Sequence, residues 1–223
     1  MEGANMGLGC GNPQAIAALK AGETVLDLGS GGGLDCFLAA KQVGRTGRVI
    51  GVDMKAEMIT KARANAAKLG AKNVEFRLGE IEHLPVADAS IDAILSSCVV
   101  DPSPAKAAVY RDAFRVLKPG GRIAISDVVT LAPLPDALAE KVTSLGGCVS
   151  GAIALTALGQ LLEDAGFEEI RIRVDESSRE CIRDAMPGSG AERYVASANI
   201  EAVKPGGKAR CCAPTCCGKE ASA

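Results

Sequence analysis

Tryptophan is absent from this 223-residue chain, aromatic residues make up 3% of it, and there is a single histidine, His83. So few rings leave little with which to stack nucleic-acid bases, and one imidazole cannot build a His-rich metal site. A formal net charge of −2 and a pI near 5.6 give no electrostatic reason to expect a nucleic-acid partner either. No uncharged apolar run approaches the roughly 20 residues that span a bilayer, so no membrane partner is expected. Met1–Asn12 lacks the charged start and apolar centre of a signal peptide, which makes the cytoplasm the expected compartment. Nor does a Lys-Ser or Lys-Thr pair follow the glycine-rich run at Gly29–Gly33, and that excludes a P-loop.

What the chain does have is cysteine. There are nine: Cys10, Cys36, Cys98, Cys148, Cys181, Cys211, Cys212, Cys216 and Cys217. In a reducing compartment such thiols bind metals or metalloids, or do chemistry, more often than they form structural disulfides. It also has length enough for one α/β domain with its own core. The organising stretch is Thr24–Asp35, TVLDLGSGGGLD, a buried strand running through a glycine loop into a helix. Without Cβ atoms that loop can turn sharply and approach a ligand closely at the carboxyl edge of a parallel sheet. Asp27 sits inside the strand just before the loop, where an acid repels a pyrophosphate and suits a ligand carrying an amino group.

Alternating apolar runs and helical patterns follow. Strands are expected at residues 48–53, 73–78, 91–97, 122–129, 167–174 and 194–202, with helices at 13–20, 34–43, 55–69, 104–117, 133–145 and 155–165. LKPGG at Leu117–Gly121 reads as a sharp turn, and residues 175–190 as irregular. The fold class is α/β, a doubly wound, mostly parallel sheet of seven strands, forming one domain over residues 1–203. Residues 204–223 form a Cys-rich tail with too little apolar surface to build a core.

Asp27 with Gly29, Ser30 and Gly31, then Asp53 about 20 residues after the loop, the Gly79–Ile81 turn, Cys98 after the fourth strand, and LKPGG occur in order. Together they resemble the motifs of class I S-adenosylmethionine (SAM)-dependent methyltransferases. The resemblance implies that Asp53 holds the ribose hydroxyls of SAM and Met54 flanks its adenine. It places Glu80 and Ile81 at the adenine edge, Asp27, Gly29, Ser30 and Gly31 near the methionine part, and Cys98 on the wall of the site.

A narrower resemblance rests on GLGCGNP (Gly7–Pro13), LGSGGGLDC (Leu28–Cys36), GEIEHLPVAD (Gly79–Asp88), ISDVV (Ile125–Val129), GCVSGA (Gly147–Ala152) and MPGSGAE (Met186–Glu192). These segments look like arsenite methyltransferases, a branch of the same superfamily. The implied reaction is methyl transfer from SAM to arsenite, or to an already methylated trivalent arsenical, in a monomeric enzyme supported by an external thiol reductant such as glutathione or thioredoxin. Cys10, Cys36 and Cys148 are the expected arsenic thiolates, and Cys211, Cys212, Cys216 and Cys217 an accessory site. The chemistry suits them, since soft trivalent arsenic prefers thiolates, and a cysteine in the first turn of a helix, such as Cys36, has its thiolate favoured by the helix dipole. Two alternatives stand beside this reading, a methyltransferase for an organic acceptor such as a quinone-type ring, and an inactive arsenite-binding protein. The chain also departs from the pattern. The resemblance implies an N-terminal extension ahead of the segment Glu2–Pro13, whereas in this sequence Met1 leads directly into that segment, and Ser97 and Asp101-Pro102 stand where an Asn and an Asn-Leu pair are expected.

Overall fold

The structure is a computed structural model that describes residues 17–135, 138 and 151–206. The expected helix at 133–145 therefore lies mostly outside the described residues, as do half of the helix at 13–20, nearly all of the Cys-rich tail, and Cys10 and Cys148.

The chain runs β1 (Thr24–Leu28), α1 (Leu34–Val43), β2 (Arg48–Asp53), α2 (Ala56–Leu69), β3 (Val74–Leu78), β4 (Ile91–Ser97), α3 (Lys106–Val116) and β5 (Leu117–Thr130). It continues with β6 (Ile153–Ala154), α4 (Leu155–Asp164), β7 (Glu168–Asp175), α5 (Ser178–Ala185), a 3-10 turn (Ala191–Arg193) and β8 (Val195–Val203). The strands form one sheet in the order β3-β2-β1-β4-β5-β8-β7, with the two-residue β6 pairing β5. Pairing is parallel from β3 to β5 and antiparallel on both sides of β8.

The central strands read as apolar runs because both faces are covered. Successive side chains point to opposite faces, and the core divides accordingly. Leu26, Leu28, Ile50, Val52, Ile94, Ile123 and Ile125 pack with α3 and α4 through Tyr110, Val109, Leu158 and Leu162. Val25, Val49, Ala93, Leu95 and Ala124 pack with α1 and α2 through Phe37, Val43, Ile59 and Ala62. Asp27, two residues after Val25, projects onto this second face.

Three elements differ from expectation. LKPGG is part of β5: Leu117 pairs with Ile91, and a register shift between Ile91 and Ala93 absorbs the irregularity. The 175–190 segment contains α5, whose strongly charged sequence hides a single apolar side carrying Ile182 against Val195 and Ala191. And β6 adds to the far end of β5, where Ile153 and Ala154 pair Val129 and Thr130; two residues carry no periodicity to read.

The strand order reverses between β1 and β4, which opens a crevice at their carboxyl ends. The glycine loop enters it and turns back at Gly33, which takes φ +92° immediately before α1. A Cβ at Gly33 would lie 2.7 Å from the Phe76 ring and 2.9 Å from that of Phe37, two rings already packed edge to face at 5.8 Å. Gly33→Ala should therefore lower the unfolding free energy by about 2–4 kcal/mol, combining left-handed strain with overpacking. Urea denaturation of the two proteins measures it.

Candidate functional site

The glycine loop is tied to its neighbours by its own backbone. Ser30 N–H donates to the Val52 carbonyl at 2.9 Å, Gly31 N–H to Asp53 Oδ2 at 2.9 Å, and Asn65 Nδ2 to the Gly32 carbonyl at 3.0 Å. Asp53 also accepts the Lys55 N–H through Oδ1 at 2.8 Å. A carboxylate offers about four acceptor positions, so Asp53 keeps capacity for two hydroxyl donors. Beside it the apolar side chains of Met54 and Leu78 are 70% and 54% exposed, an uncovered apolar pair at the ends of adjacent strands, since Asp53 and Leu78 are register partners. Glu80 is exposed and bridges back to His83, itself a surface residue, while Ile81 is half-buried against the core. On the other side of the loop, Val99 lies so close to Gly29 that a Cβ there would come within 2.4 Å of it. Ser30 Oγ is buried without a hydrogen-bond partner among the described residues. An acid, an apolar shelf, and a buried hydroxyl lacking a partner together fit an adenosyl ligand with a polar tail.

Asp27 lies beneath the loop, 3% exposed. Burial pushes its carboxyl well above the usual range, and the charges of Asp35 and Asp53 push the same way. The Cys36 thiol donates to Asp27 Oδ2 at 3.2 Å and opposes the shift. An arriving ammonium group would relieve this site, because an opposite charge stabilises the carboxylate that burial disfavours.

Cys36 requires a correction. The helix start was expected to favour its thiolate, yet the residue is 0% exposed, and burial, followed by the charge of Asp27, drives its thiol well above the ordinary value. Desolvation outweighs the dipole at this helix start, and the Cys36 side chain lies in the core against Asp27. Cys98 has the opposite character. It follows β4 in the left-handed region at φ +53°, is half-buried, is anchored by its N–H to the Ser126 carbonyl at 2.8 Å, and is disulfide-bonded. Around it the hydroxyls of Ser96, Ser97 and Ser126 are buried without partners among the described residues. Cys181 is a free, exposed thiol on α5.

The crevice thus gathers Asp27, Gly29, Ser30, Gly31, Asp53, Met54, Glu80, Ile81 and Cys98 at the ends of four neighbouring strands. Two features escaped the sequence reading. Leu78 was not singled out, and Asp127, buried on β5 in contact with Asp101, was noticed only as part of ISDVV. The Asp at 101 was the available signal, since it broke the expected pattern. Among the described residues no group of three or more His, Cys, Asp and Glu side chains is placed to hold a metal ion, and no helix is long and apolar enough to cross a membrane.

Residues 19–166 match the family model described as a methyltransferase domain. An arsenite methyltransferase of Halobacterium salinarum is 56% identical over 204 residues, which is 92% of this chain and 52% of that protein. One from Aquipseudomonas alcaligenes is 42% identical over 75% of this chain and 50% of its own length. The crystal structure of an arsenic(III) S-adenosylmethionine methyltransferase from Chlamydomonas reinhardtii superposes with a TM-score of 0.72 at 35% identity, over 88% of this chain and 67% of that one. The chain belongs to the methyltransferase domain family. It spans about half the length of the curated relatives it matches. Within this methyltransferase fold the crevice between β1 and β4 is the place where the expected cofactor residues converge, and Cys98 is the described cysteine that reaches it.

The burial difference between cysteines is measurable. In reduced native protein a thiol-alkylating reagent should modify Cys181 rapidly and leave Cys36 unmodified until the chain is unfolded, as read by peptide mass spectrometry.

Proposed function

We propose that this chain methylates trivalent arsenic, taking the methyl group from SAM while cysteine thiolates hold the arsenic. The observation that carries the reading is the 56% identity to an arsenite methyltransferase along 92% of the chain. The crevice supports it with a nucleoside-type shelf on one side and Cys98 on the other.

When bound, SAM supplies an electrophilic methyl group on a sulfonium sulfur. For its nucleoside, Asp53 accepts the ribose hydroxyls, Met54 and Ile81 cover the adenine, and Glu80 accepts at its edge. For its methionyl part, Asp27 faces the ammonium group, while Gly29, Gly31 and the Ser30 hydroxyl line the path. Arsenite is the substrate. Each thiolate that bonds to arsenic displaces one hydroxyl, which leaves with a proton as water, and the arsenic lone pair becomes the nucleophile. Such a nucleophile needs no general base, so positioning carries most of the catalysis. Cys10 and Cys148 remain the proposed arsenic thiols, and the burial of Cys36 favours Cys98 as the third. A disulfide at Cys98 must be reduced before the sulfur can bind arsenic, which suits an external thiol reductant such as glutathione or thioredoxin.

Incubation with arsenite, SAM and a thiol reductant, followed by chromatographic arsenic speciation with mass detection, should show methylated arsenic above a no-enzyme control. Cys148→Ser should abolish the product and leave SAM binding by calorimetry intact. Full activity in that variant would refute thiolate capture, and no product from the wild-type chain would refute the reaction.

A further inference from the structure

Two aspartates face each other where β4 ends. Asp101 and Asp127 are 4% and 2% exposed, and their carboxyl groups converge on one donor, the Val128 N–H, which reaches Asp101 Oδ2 at 3.0 Å and Asp127 Oδ1 at 3.2 Å. Asp127 Oδ2 also accepts the backbone N–H groups of Val100 at 3.0 Å and Asp101 at 3.1 Å. The arrangement stitches the loop after β4 to β5.

Two carboxylates, each an acceptor only, cannot hydrogen-bond to each other unless one carries a proton. The charge of Lys106 lowers the Asp101 carboxyl, but its Nζ donates to the backbone carbonyls of Asp101 at 2.6 Å and Ser103 at 3.0 Å rather than to either carboxylate. Glu82 is engaged with Ser103 Oγ. The other titratable group from α3 is Tyr110, which is fully buried and neutral in character, while β6, α4 and β8 contribute only Ile153, Leu158 and Ile200. The cavity among them measures about 10 Å³, no more than a single water requires. Backbone donors decide which acid keeps the proton. Two N–H groups from the loop favour Asp127 as the anion, and burial together with the charge of Asp127 pushes the Asp101 carboxyl up to about 9.

The braced loop touches everything that matters at this edge. It carries Cys98, lays Val99 on Gly29, and abuts Gly151 so closely that a Cβ there would come within 1.8 Å of the Asp101 carbonyl. We propose that Asp101 is a positioning residue whose retained carboxyl proton bridges it to Asp127 and sets the loop of residues 98–102 between the glycine loop and β5. Its consequence for methyl transfer rests on the function proposed above, but the brace itself does not.

The sign of the pH dependence follows. An unfolded Asp101 loses its proton near 3.8 and the folded one near 9, so between those values the folded state holds one proton more. The stability associated with this group is complete below 3.8 and is lost as pH rises towards 9. Asp101→Asn replaces the carboxyl by an amide that donates to Asp127 at any pH. The wild-type folding constant should fall by up to about tenfold more per pH unit than that of Asp101→Asn between the unfolded value of 3.8 and the folded value of about 9. Chemical denaturation at several pH values reads this difference, and parallel lines for the two proteins would overturn the proposal.

Asp127→Asn should be worse than Asp101→Asn, because in either orientation its amide nitrogen faces a backbone N–H, that of Val128 or those of Val100 and Asp101, which in the wild type bond to carboxylate oxygens. Equal effects of the two variants would also overturn the assignment. Carbon-13 NMR of aspartate-labelled wild-type protein needs no variant. One of Asp101 and Asp127 should remain protonated at neutral pH, and finding both ionised would sink the idea. For positioning, the methylation rate of Asp101→Asn should match wild type near neutrality and persist at alkaline pH where wild type declines. These stability and NMR readouts hold whether or not the chain methylates arsenic, so failure of the brace and failure of the proposed function are separable.

Discussion

The reversal of strand order between β1 and β4 is the constraint on which the rest of this molecule depends. Because α1 and α2 carry the chain one way from β1 and α3 carries it the other way from β4, neither crossover covers the carboxyl ends of these two strands. Every loop that leaves that edge must therefore satisfy its own backbone. The glycine loop does so through Val52, Asp53 and Asn65, and the loop after β4 through Ser126 and Asp127. The crevice is thus walled by two loops pinned to neighbouring strands, and this rigidity suits a reaction that relies on alignment.

Buried acid is the recurring chemical theme. Asp27, Asp101 and Asp127 all lie below 5% exposure, and each is met by donors drawn from elsewhere in the chain: a thiol, backbone amides, or another carboxyl. Burying a charge is costly unless it is compensated, and three such groups within one edge of one sheet mark it as the region where stability yields to function. Asp27 awaits a positive partner. Asp101 and Asp127 instead meet each other at one backbone donor, the Val128 N–H, and the proposed brace holds them together through one proton.

The course of the strands from residue 24 to residue 97 was legible in the sequence almost to the residue, because strands covered on both faces read as unbroken apolar runs and the intervening helices carry clear periodicity. Legibility failed where that signal failed. Helix α5 has too many charges for its apolar side to stand out, β6 has too few residues, and the first turn of β5 is disguised by Pro119 and two glycines. Within the site, the acids and glycines at strand ends were readable from their order. The environments of two cysteines were not: Cys36 and Cys98 both neighbour loops, and only packing separates the one buried in the core from the half-buried one that follows β4.

By itself, then, the amino-acid order determined the alternation of strands and helices, the glycine loop, the acid at the end of β2 and the supply of thiols, since each is encoded in local spacing and residue type. Tertiary structure alone decided which acids lose their water, which thiol is reachable, and that Asp101 and Asp127, 26 residues apart, share a hydrogen bond. The physical reason is that desolvation and charge coupling are sums over neighbours in space. Such neighbours are brought together by the sheet, and no local pattern in the chain records them.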